Sequence, residues 1–148
     1  MFDTILVVCA GNICRSPVGA ALLRQRLPGK RIYSAGLGAL VGDGVEPTAR
    51  ELAEADGLDV SDHQARQLTV DMLQHADLIL VMSEGQRRAV GELSPTAMGK
   101  TMCFGCWLGA PDQQGEFIPD PYRKSREAFE HVHHLLKSAA ESWASRLG

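Results

Sequence analysis

A cysteine is followed six positions later by an arginine in the stretch "CAGNICRS" near the start of the chain. The thiolate of Cys9 would be a strong nucleophile, and the planar fork of Arg15 matches two oxygens of a phosphate group. Gly11 and Asn12 are residue types that readily take a positive φ, so this loop can turn successive N–H groups inward around a tetrahedral oxyanion. The predicted phosphate-binding loop consists of Ala10, Gly11, Asn12, Ile13, Cys14, Arg15 and Ser16.

The position of this loop strengthens the prediction. It follows an apolar stretch typical of a strand, and Pro17 favours the first turn of a helix, whose N-terminal amides attract anions. The groups that favour an oxyanion also favour a thiolate at Cys9, which could attack phosphorus and form a phosphocysteine. The spacing of Cys9 and Arg15 alone also fits a small buried cysteine followed by a solvated arginine. The phosphate-binding interpretation therefore rests on the position of the loop between a strand and a helix.

Phosphate ester cleavage also needs a proton donor for the leaving oxygen. The stretch "IPDPYRKS" offers Asp120 between Pro119 and Pro121, which stiffen the backbone around the carboxyl group. Tyr122 could form an aromatic wall beside the cleft. An ordinary turn aspartate would have the same proline neighbours. Asp120 is therefore a candidate proton donor only in combination with the loop at Cys9.

Apolar runs of strand length alternate with segments of helical period along the chain. The patterns predict strands over 4–10, 31–35, 77–82 and 100–104, and helices over 17–27, 47–55, 69–75, 84–93 and 126–147. Such alternation predicts a parallel sheet covered by helices on both faces, with the ligand site at the carboxyl ends of the strands. Cys9 lies near the end of the first predicted strand and Asp120 lies in the loop after the fourth, so both should lie at that end.

The composition limits the classes of function. A chain of 148 residues, 45% of them hydrophobic, is expected to form a single domain over 1–148. A net charge of −3 gives no broad basic field for nucleic acid. The longest apolar run is too short to cross a bilayer, and no export signal is visible, so we expect a cytoplasmic protein with reduced cysteines.

Four stretches, "VVCAGNICRSP", "YSAGLGALVG", "HQARQ" and "IPDPYRKSRE", together resemble the low molecular weight protein tyrosine phosphatases, in particular bacterial members encoded with tyrosine kinases of exopolysaccharide or capsule export. The resemblance covers essentially the whole chain. It implies a three-layer α/β fold with a four-stranded parallel sheet in flavodoxin-like order, flanked by helices. It also implies hydrolysis of phosphotyrosine through a phosphocysteine, with neither a metal nor another cofactor.

The resemblance assigns a role to each matching residue. It makes Cys9 the nucleophile, Arg15 the phosphate clamp and Asp120 the general acid, which becomes the base when water attacks. It also assigns supporting roles: Ser16 donates to the departing thiolate, Asn12, Ser34 and His63 hold the loop, and Cys14 captures an oxidised Cys9 as a disulfide. Leu40 and Tyr122 would line the substrate cleft, and Arg123 stands where many eukaryotic members have a second tyrosine.

The resemblance also indicates a partner. The substrate would be a phosphotyrosine protein, namely the autophosphorylated tail of a membrane tyrosine kinase. The phosphatase itself would be a monomer or weak oligomer that neither enters the membrane nor binds nucleic acid. Two alternatives share the fold. Arsenate reductases use additional cysteines as resolving thiols, and protein arginine phosphatases resemble a version with threonine at the position of Ile13. A module that binds phosphotyrosine without catalysis would not need Cys9, Arg15 and Asp120 together.

Two further motifs have simpler interpretations. The single C-x-x-C pair of Cys103 and Cys106 is a weak zinc signal, and packing in or beside a core strand explains it better. His131, His133 and His134 are spaced so that a helix spreads their rings apart, which predicts a solvated helix face.

Overall fold

The sheet has four parallel strands, as the sequence predicted. In the computed structural model, which describes residues 2–108 and 117–148, the strands are β1 (Thr4–Cys9), β2 (Arg31–Gly36), β3 (Leu78–Val81) and β4 (Thr101–Cys103). Their order is β2-β1-β3-β4, so the chain steps from β1 to one side and then returns across it to the other. A ligand site is expected where this order switches direction, at the carboxyl end of β1.

Five α-helices and one short 3-10 helix connect the described strands. They are α1 (Arg15–Arg26), α2 (Pro47–Ala55), α3 (Val70–His75), α4 (Glu84–Leu93) and α5 (Arg126–Leu147), with the 3-10 helix at Pro95–Lys100. The five predicted α-helices are confirmed, with ends shifted by at most two residues. The 3-10 helix was not predicted, because its proline, glycine and polar residues are equally typical of a loop.

Strand β1 separates two hydrophobic clusters, which explains its apolar residues on both faces. Ile5, Val7 and Cys9 belong to a larger cluster built with α1, α2 and α5. Leu6 and Val8 point to the opposite face and join a smaller cluster with α3 and α4. Side chains alternate between the faces of a strand, so a strand covered on both faces must be apolar throughout. The last residue of β1, Cys9, therefore lies at the carboxyl end of the sheet in a fixed, buried position.

The long C-terminal helix packs as its periodicity predicted. Its inward stripe consists of Phe129, Val132, Leu136, Ala140 and Trp143, all buried, with Leu147 partly buried at the end. The indole Nε1–H of Trp143 also donates to the carbonyl of Phe104 at 2.8 Å. This bond ties α5 to the segment after β4.

His133 does not fit the predicted solvated face. His131 and His134 are exposed, but the His133 side chain is only 12% exposed and its Nε2 lies 2.5 Å from Asp56 Oδ2. Asp56 is the C-cap of α2 and also accepts a hydrogen bond from Lys137. These bonds, that of His133 first, lower the pKa of Asp56. The interaction joins α2 to α5, and sequence spacing within α5 could not show a partner 77 positions away.

No helix in the described part of the chain has the length and apolar character needed to span a bilayer.

Candidate active site

The loop after β1 has its carbonyl groups turned outward. Each carbonyl of residues 9–13 accepts a hydrogen bond from a donor outside the loop, and the donor–acceptor distances are 2.6–3.1 Å. In chain order, these donors are the N–H groups of Leu37, Gly38 and Leu40, the His63 ring, and the N–H group of Glu46. In a trans peptide the next N–H points opposite to the carbonyl, so the N–H groups of residues 10–14 face the interior of the loop. None of these five N–H groups donates to another described residue.

The N-terminus of α1 adds to this inward field. Side chains cap the other four α-helices: Glu46 on α2, Thr69 on α3, Ser83 on α4 and Ser125 on α5. Cys14, the N-cap residue of α1, makes no side-chain cap. A helix start carries partial positive charge and unpaired N–H groups, which suit an oxyanion. The predicted anion site therefore lies at the one described α-helix without a side-chain cap.

Asn12 holds the loop in shape from behind. Its φ is 58°, a left-handed conformation that asparagine tolerates better than most residues, and it is fully buried. Its Nδ2 group donates to the hydroxyls of Ser16 at 2.7 Å and Ser34 at 3.0 Å, and its Oδ1 accepts the N–H of Arg66 at 2.9 Å. Gly11, the other residue predicted for a positive φ, does not adopt one. One left-handed residue is enough to reverse this loop.

His63 supports the loop through the main chain of Asn12. Its Nε2 lies 2.6 Å from that carbonyl, which can only accept, so Nε2 carries the hydrogen. Burial lowers the pKa of His63, and the nearby charges of Arg24 and Arg66 lower it further. A neutral ring is therefore the form that this site favours.

Two donors point at the sulfur of Cys9. The Oγ of Ser16 lies 2.9 Å from Sγ, and the Ser16 N–H donates to the same atom at 3.4 Å. Because the Ser16 hydroxyl already accepts from Asn12, its own hydrogen is free to point at Sγ. Both donors belong to Ser16 and can stabilise a negative charge that develops on the sulfur.

Arg15 and Asp120 meet beside the loop. Arg15 is 5% exposed, and its Nη1 donates to the carbonyl of Ile118 at 2.7 Å while its Nη2 lies 3.7 Å from Asp120 Oδ2. Ile118 is fully buried and its N–H donates to the carbonyl of Met82, just after β3. The acid-bearing segment is thus fixed to the carboxyl end of the sheet on one side and to Arg15 on the other.

A cavity of about 220 Å³ lies at the mouth of the loop. Its lining includes the reactive groups and two side chains predicted for the substrate cleft; the full set is Cys9, Ala10, Gly11, Ile13, Cys14, Arg15, Gly38, Leu40, Asp120 and Tyr122. Asn12, Ser16, Ser34 and His63 do not line it. The structure therefore brings together all the residues predicted for the site, in two groups: those that face the cavity and those that support the loop.

The remaining cysteines are in surroundings that disfavour the thiolate. Burial raises the pKa of Cys14 to about 12, and the negative charges of Cys9, Glu46 and Asp120 add to this. Burial also raises the pKa of Cys103, and it raises that of Cys106 to about 11. Cys103 and Cys106 pack at the edges of the two hydrophobic clusters, and no group of three or more potential metal ligands occurs among residues 2–108 and 117–148.

Sequence reasoning missed two contributors to the site. The N–H of Arg66 completes the bonding of Asn12, but a main-chain donor leaves no signal in residue type. Gly36 lies where a Cβ atom would come within 2.7 Å of the Ala10 carbonyl and 3.0 Å of the Asn12 N–H nitrogen. A glycine directly after the predicted strand 31–35 was the available sequence signal for a close backbone approach, and in the structure Gly36 pairs with Cys9.

The comparisons with known proteins agree with this geometry. A family model described as "Low molecular weight phosphotyrosine protein phosphatase" matches residues 4–148. The low molecular weight protein-tyrosine-phosphatase Etp of Escherichia coli (strain K12) is 49% identical over 146 residues, which cover 99% of this chain and 95% of that protein. The crystal structure of the tyrosine phosphatase Wzb from Escherichia coli K30 in complex with sulphate superposes with a TM-score of 0.94, at 47% identity and 100% coverage of both chains. Vibrio vulnificus Wzb in complex with benzylphosphonate gives a TM-score of 0.92, at 45% identity and 99% coverage of each chain.

Replacing Gly36 by alanine should damage the site while the sheet still forms. The added Cβ collides with the backbone of the loop, so we expect a loss of about 1–3 kcal/mol in unfolding free energy. If the loop moves by about 1 Å, the variant should hydrolyse an aryl phosphate roughly 10²-fold more slowly than the wild-type protein. Gly29→Ala is the control, because a Cβ there meets no atom within 4 Å and Gly29 does not line the cavity. Equal activity of the two variants would show that the clearance at Gly36 does not matter.

Proposed function

The chain belongs to the low molecular weight phosphotyrosine protein phosphatase family and is a protein tyrosine phosphatase, and we propose that it hydrolyses phosphotyrosine in two steps with Cys9 as the nucleophile. The arrangement that carries this proposal is the sulfur of Cys9 at the base of a loop whose N–H groups all face inward. The same groups that stabilise the thiolate would bind the three free oxygens of the phosphoryl group.

In the first step, the thiolate of Cys9 attacks phosphorus and forms the S–P bond. The bond between phosphorus and the tyrosine oxygen breaks, and Asp120 in its protonated form gives its proton to that oxygen. Arg15 binds two of the phosphoryl oxygens through its planar fork. Its contact with the carbonyl of Ile118 holds the guanidinium in place for this purpose.

In the second step, water attacks the phosphorus of the phosphocysteine. Asp120, now a carboxylate, takes a proton from the water while the S–P bond breaks and inorganic phosphate forms. The electrons of that bond return to sulfur, where the Ser16 hydroxyl and N–H stabilise the departing thiolate. Each atom of the site ends in its starting state.

The walls of the cavity support an aromatic substrate. Leu40 and Tyr122 are both partly exposed and both line the cavity, which leaves an apolar slot above the phosphate position. Such a slot suits the ring of phosphotyrosine, since aromatic and aliphatic groups pack against its faces. Vibrio vulnificus Wzb is seen with benzylphosphonate, which likewise joins an aromatic ring to a tetrahedral phosphorus group.

The buried thiols argue against arsenate reduction. A resolving cysteine must attack as a thiolate, yet the raised pKa values of Cys14, Cys103 and Cys106 leave little thiolate at neutral pH. Capture of an oxidised Cys9 by Cys14 stays a prediction.

The proposed substrate is the autophosphorylated tail of a membrane tyrosine kinase that drives polysaccharide export. This proposal rests on the likeness of the chain to bacterial members of the family, and the open cavity mouth is suited to a flexible phosphorylated tail. A cytoplasmic location is part of the proposal, because Cys9 must stay reduced to act. The predicted monomer or weak oligomer is compatible with it.

Replacing Cys9 by serine should abolish phosphatase activity. A serine hydroxyl is a far weaker nucleophile than a thiolate, so hydrolysis of p-nitrophenyl phosphate should fall to the background rate of the buffer. Cys103→Ser is the control, since that thiol lies outside the cavity and should leave the rate unchanged. Both rates should be measured with a chelator present. Substantial activity of Cys9→Ser would remove Cys9 from the mechanism.

Replacing Asp120 by asparagine should slow the reaction by roughly 10²- to 10⁴-fold, because the amide cannot protonate the leaving oxygen. The loss in kcat/KM should be larger for a phosphotyrosine peptide than for p-nitrophenyl phosphate, whose leaving group is less basic and needs the acid less. The two substrates serve as each other's control. Equal losses would mean that Asp120 acts through the position of Arg15 and not as the acid.

The kinase substrate can be tested directly. We expect the protein to remove phosphotyrosine from a purified, autophosphorylated kinase domain of a polysaccharide export system faster than from an unrelated tyrosine-phosphorylated protein at equal concentration. The rate of loss can be followed by phosphotyrosine immunoblotting, with Cys9→Ser as the inactive control. Equal rates on both proteins would contradict the proposed substrate without affecting the proposed chemistry.

A further inference from the structure

The backbone of Arg123 is in an unfavourable conformation. In the part of the chain that the structure describes, Asn12 and Arg123 are the two residues other than glycine with a positive φ, and that of Arg123 is 62°. Arg123 is the third residue of a turn that closes with a 2.8 Å bond from the Lys124 N–H to the Pro121 carbonyl. A positive φ at this position favours glycine or asparagine. An arginine here therefore opposes the local preference, and such strain is typical of functional sites.

The side chain of Arg123 is placed at the rim of the catalytic cavity. Its guanidinium carbon lies 5.4 Å from the centre of the Tyr122 ring, within the range of a cation–π contact. Tyr122 itself lines the cavity, and its N–H donates to Asp120 Oδ1 at 3.0 Å. Arg123 does not line the cavity. The turn thus places a cation on the aromatic wall, next to the phosphotyrosine position.

No acidic side chain in the described part of the chain neutralises this cation. Arg123 forms no ion pair with an acidic residue among residues 2–108 and 117–148, and neither does its neighbour Lys124. Arg126, in the same basic stretch, contrasts with them because it pairs with Glu51 at 3.2 Å. A guanidinium stacked on a ring keeps its N–H edge available, and that edge matches carboxylate and phosphate oxygens.

We propose that Arg123 is a specificity-determining residue that binds an acidic group beside the phosphotyrosine of the substrate. The group is an oxyanion: the carboxylate of a neighbouring aspartate or glutamate, or the phosphate of a second phosphotyrosine. The positive φ of Arg123 sets the direction of its side chain, and the cation–π contact with Tyr122 keeps the guanidinium there. This inference rests on the proposed function, because it requires that a phosphotyrosine peptide occupies the cavity.

The test compares three phosphotyrosine peptides that differ only in the residues next to the phosphotyrosine: glutamate, glutamine or a second phosphotyrosine. The wild-type protein should give a kcat/KM about two- to fivefold higher on the glutamate peptide than on the glutamine peptide, the size expected for a partly exposed ion pair. The second phosphotyrosine carries more charge and should be preferred at least as strongly. Both preferences should shrink at high salt.

Four variants separate the contact from other effects. Arg123→Asn and Arg123→Gly accept the positive φ and should lose the preference for the acidic peptides, while their rates on p-nitrophenyl phosphate stay at the wild-type level. Arg123→Lys keeps the charge but lacks the planar fork that stacks on the ring, so it should retain only part of the preference. Lys124→Gln removes an equal charge from the adjacent position and should leave the ratio between peptides unchanged.

Three results would overturn the inference: no preference in the wild-type protein, a preference that survives Arg123→Asn, or an equal loss in Lys124→Gln. The last result would mean that a general positive field acts in place of a specific contact. Failure of the wild-type protein to hydrolyse p-nitrophenyl phosphate would instead overturn the proposed function, so the two failures are distinguishable.

Discussion

The site depends on the outward bonding of five consecutive carbonyls, those of residues 9–13. A peptide group cannot point its carbonyl and the following N–H to the same side, so bonding one outward turns the other inward. The donors come from the segment after β2, the start of α2 and the His63 ring, none of which belongs to the loop. The shape of the anion-binding ring is therefore imposed by the surrounding fold, which explains why a short loop can hold it before any ligand arrives.

The polar network behind the loop makes each of its bonds costly to lose. Asn12 is fully buried, and both ends of its amide are bonded, to Ser16 and Ser34 on one side and to Arg66 on the other. Removing one partner would leave a buried donor or acceptor unpaired, at a cost of about 1–3 kcal/mol. Because Ser16 accepts from Asn12 and faces Sγ of Cys9, the same network orients a hydrogen toward the sulfur. The bonds that support the loop and the bond that points a hydrogen at the sulfur therefore belong to one network.

The sequence predicted the sheet, the helices and which residues gather at the candidate site, because each leaves a local signal. Apolar runs identify β1 and β3, and the spacing of Cys9 and Arg15 after a strand identifies the loop. Contacts made by the main chain or by distant residues leave no such signal. The N–H of Arg66 donates to Asn12, and Gly36 leaves room for the backbone of the loop. His133 contacts Asp56 only because α2 and α5 pack together. Residue type predicted which positions come together around the cavity, whereas packing decided what holds them.

Two cysteines in one loop show how local this electrostatic control is. Cys9 and Cys14 lie within the same turn of chain and line the same cavity, yet only Cys9 has N–H and hydroxyl donors aimed at its sulfur. Cys14 is buried near the negative charges of Cys9, Glu46 and Asp120, which raises its pKa to about 12. As the N-cap of α1 it also leaves the helix start without a side-chain cap, where an aspartate or serine would compete with a phosphate for the same N–H groups. A neutral, apolar residue is therefore the suitable choice at that position, and Cys9, the proposed nucleophile, lies where the donors converge.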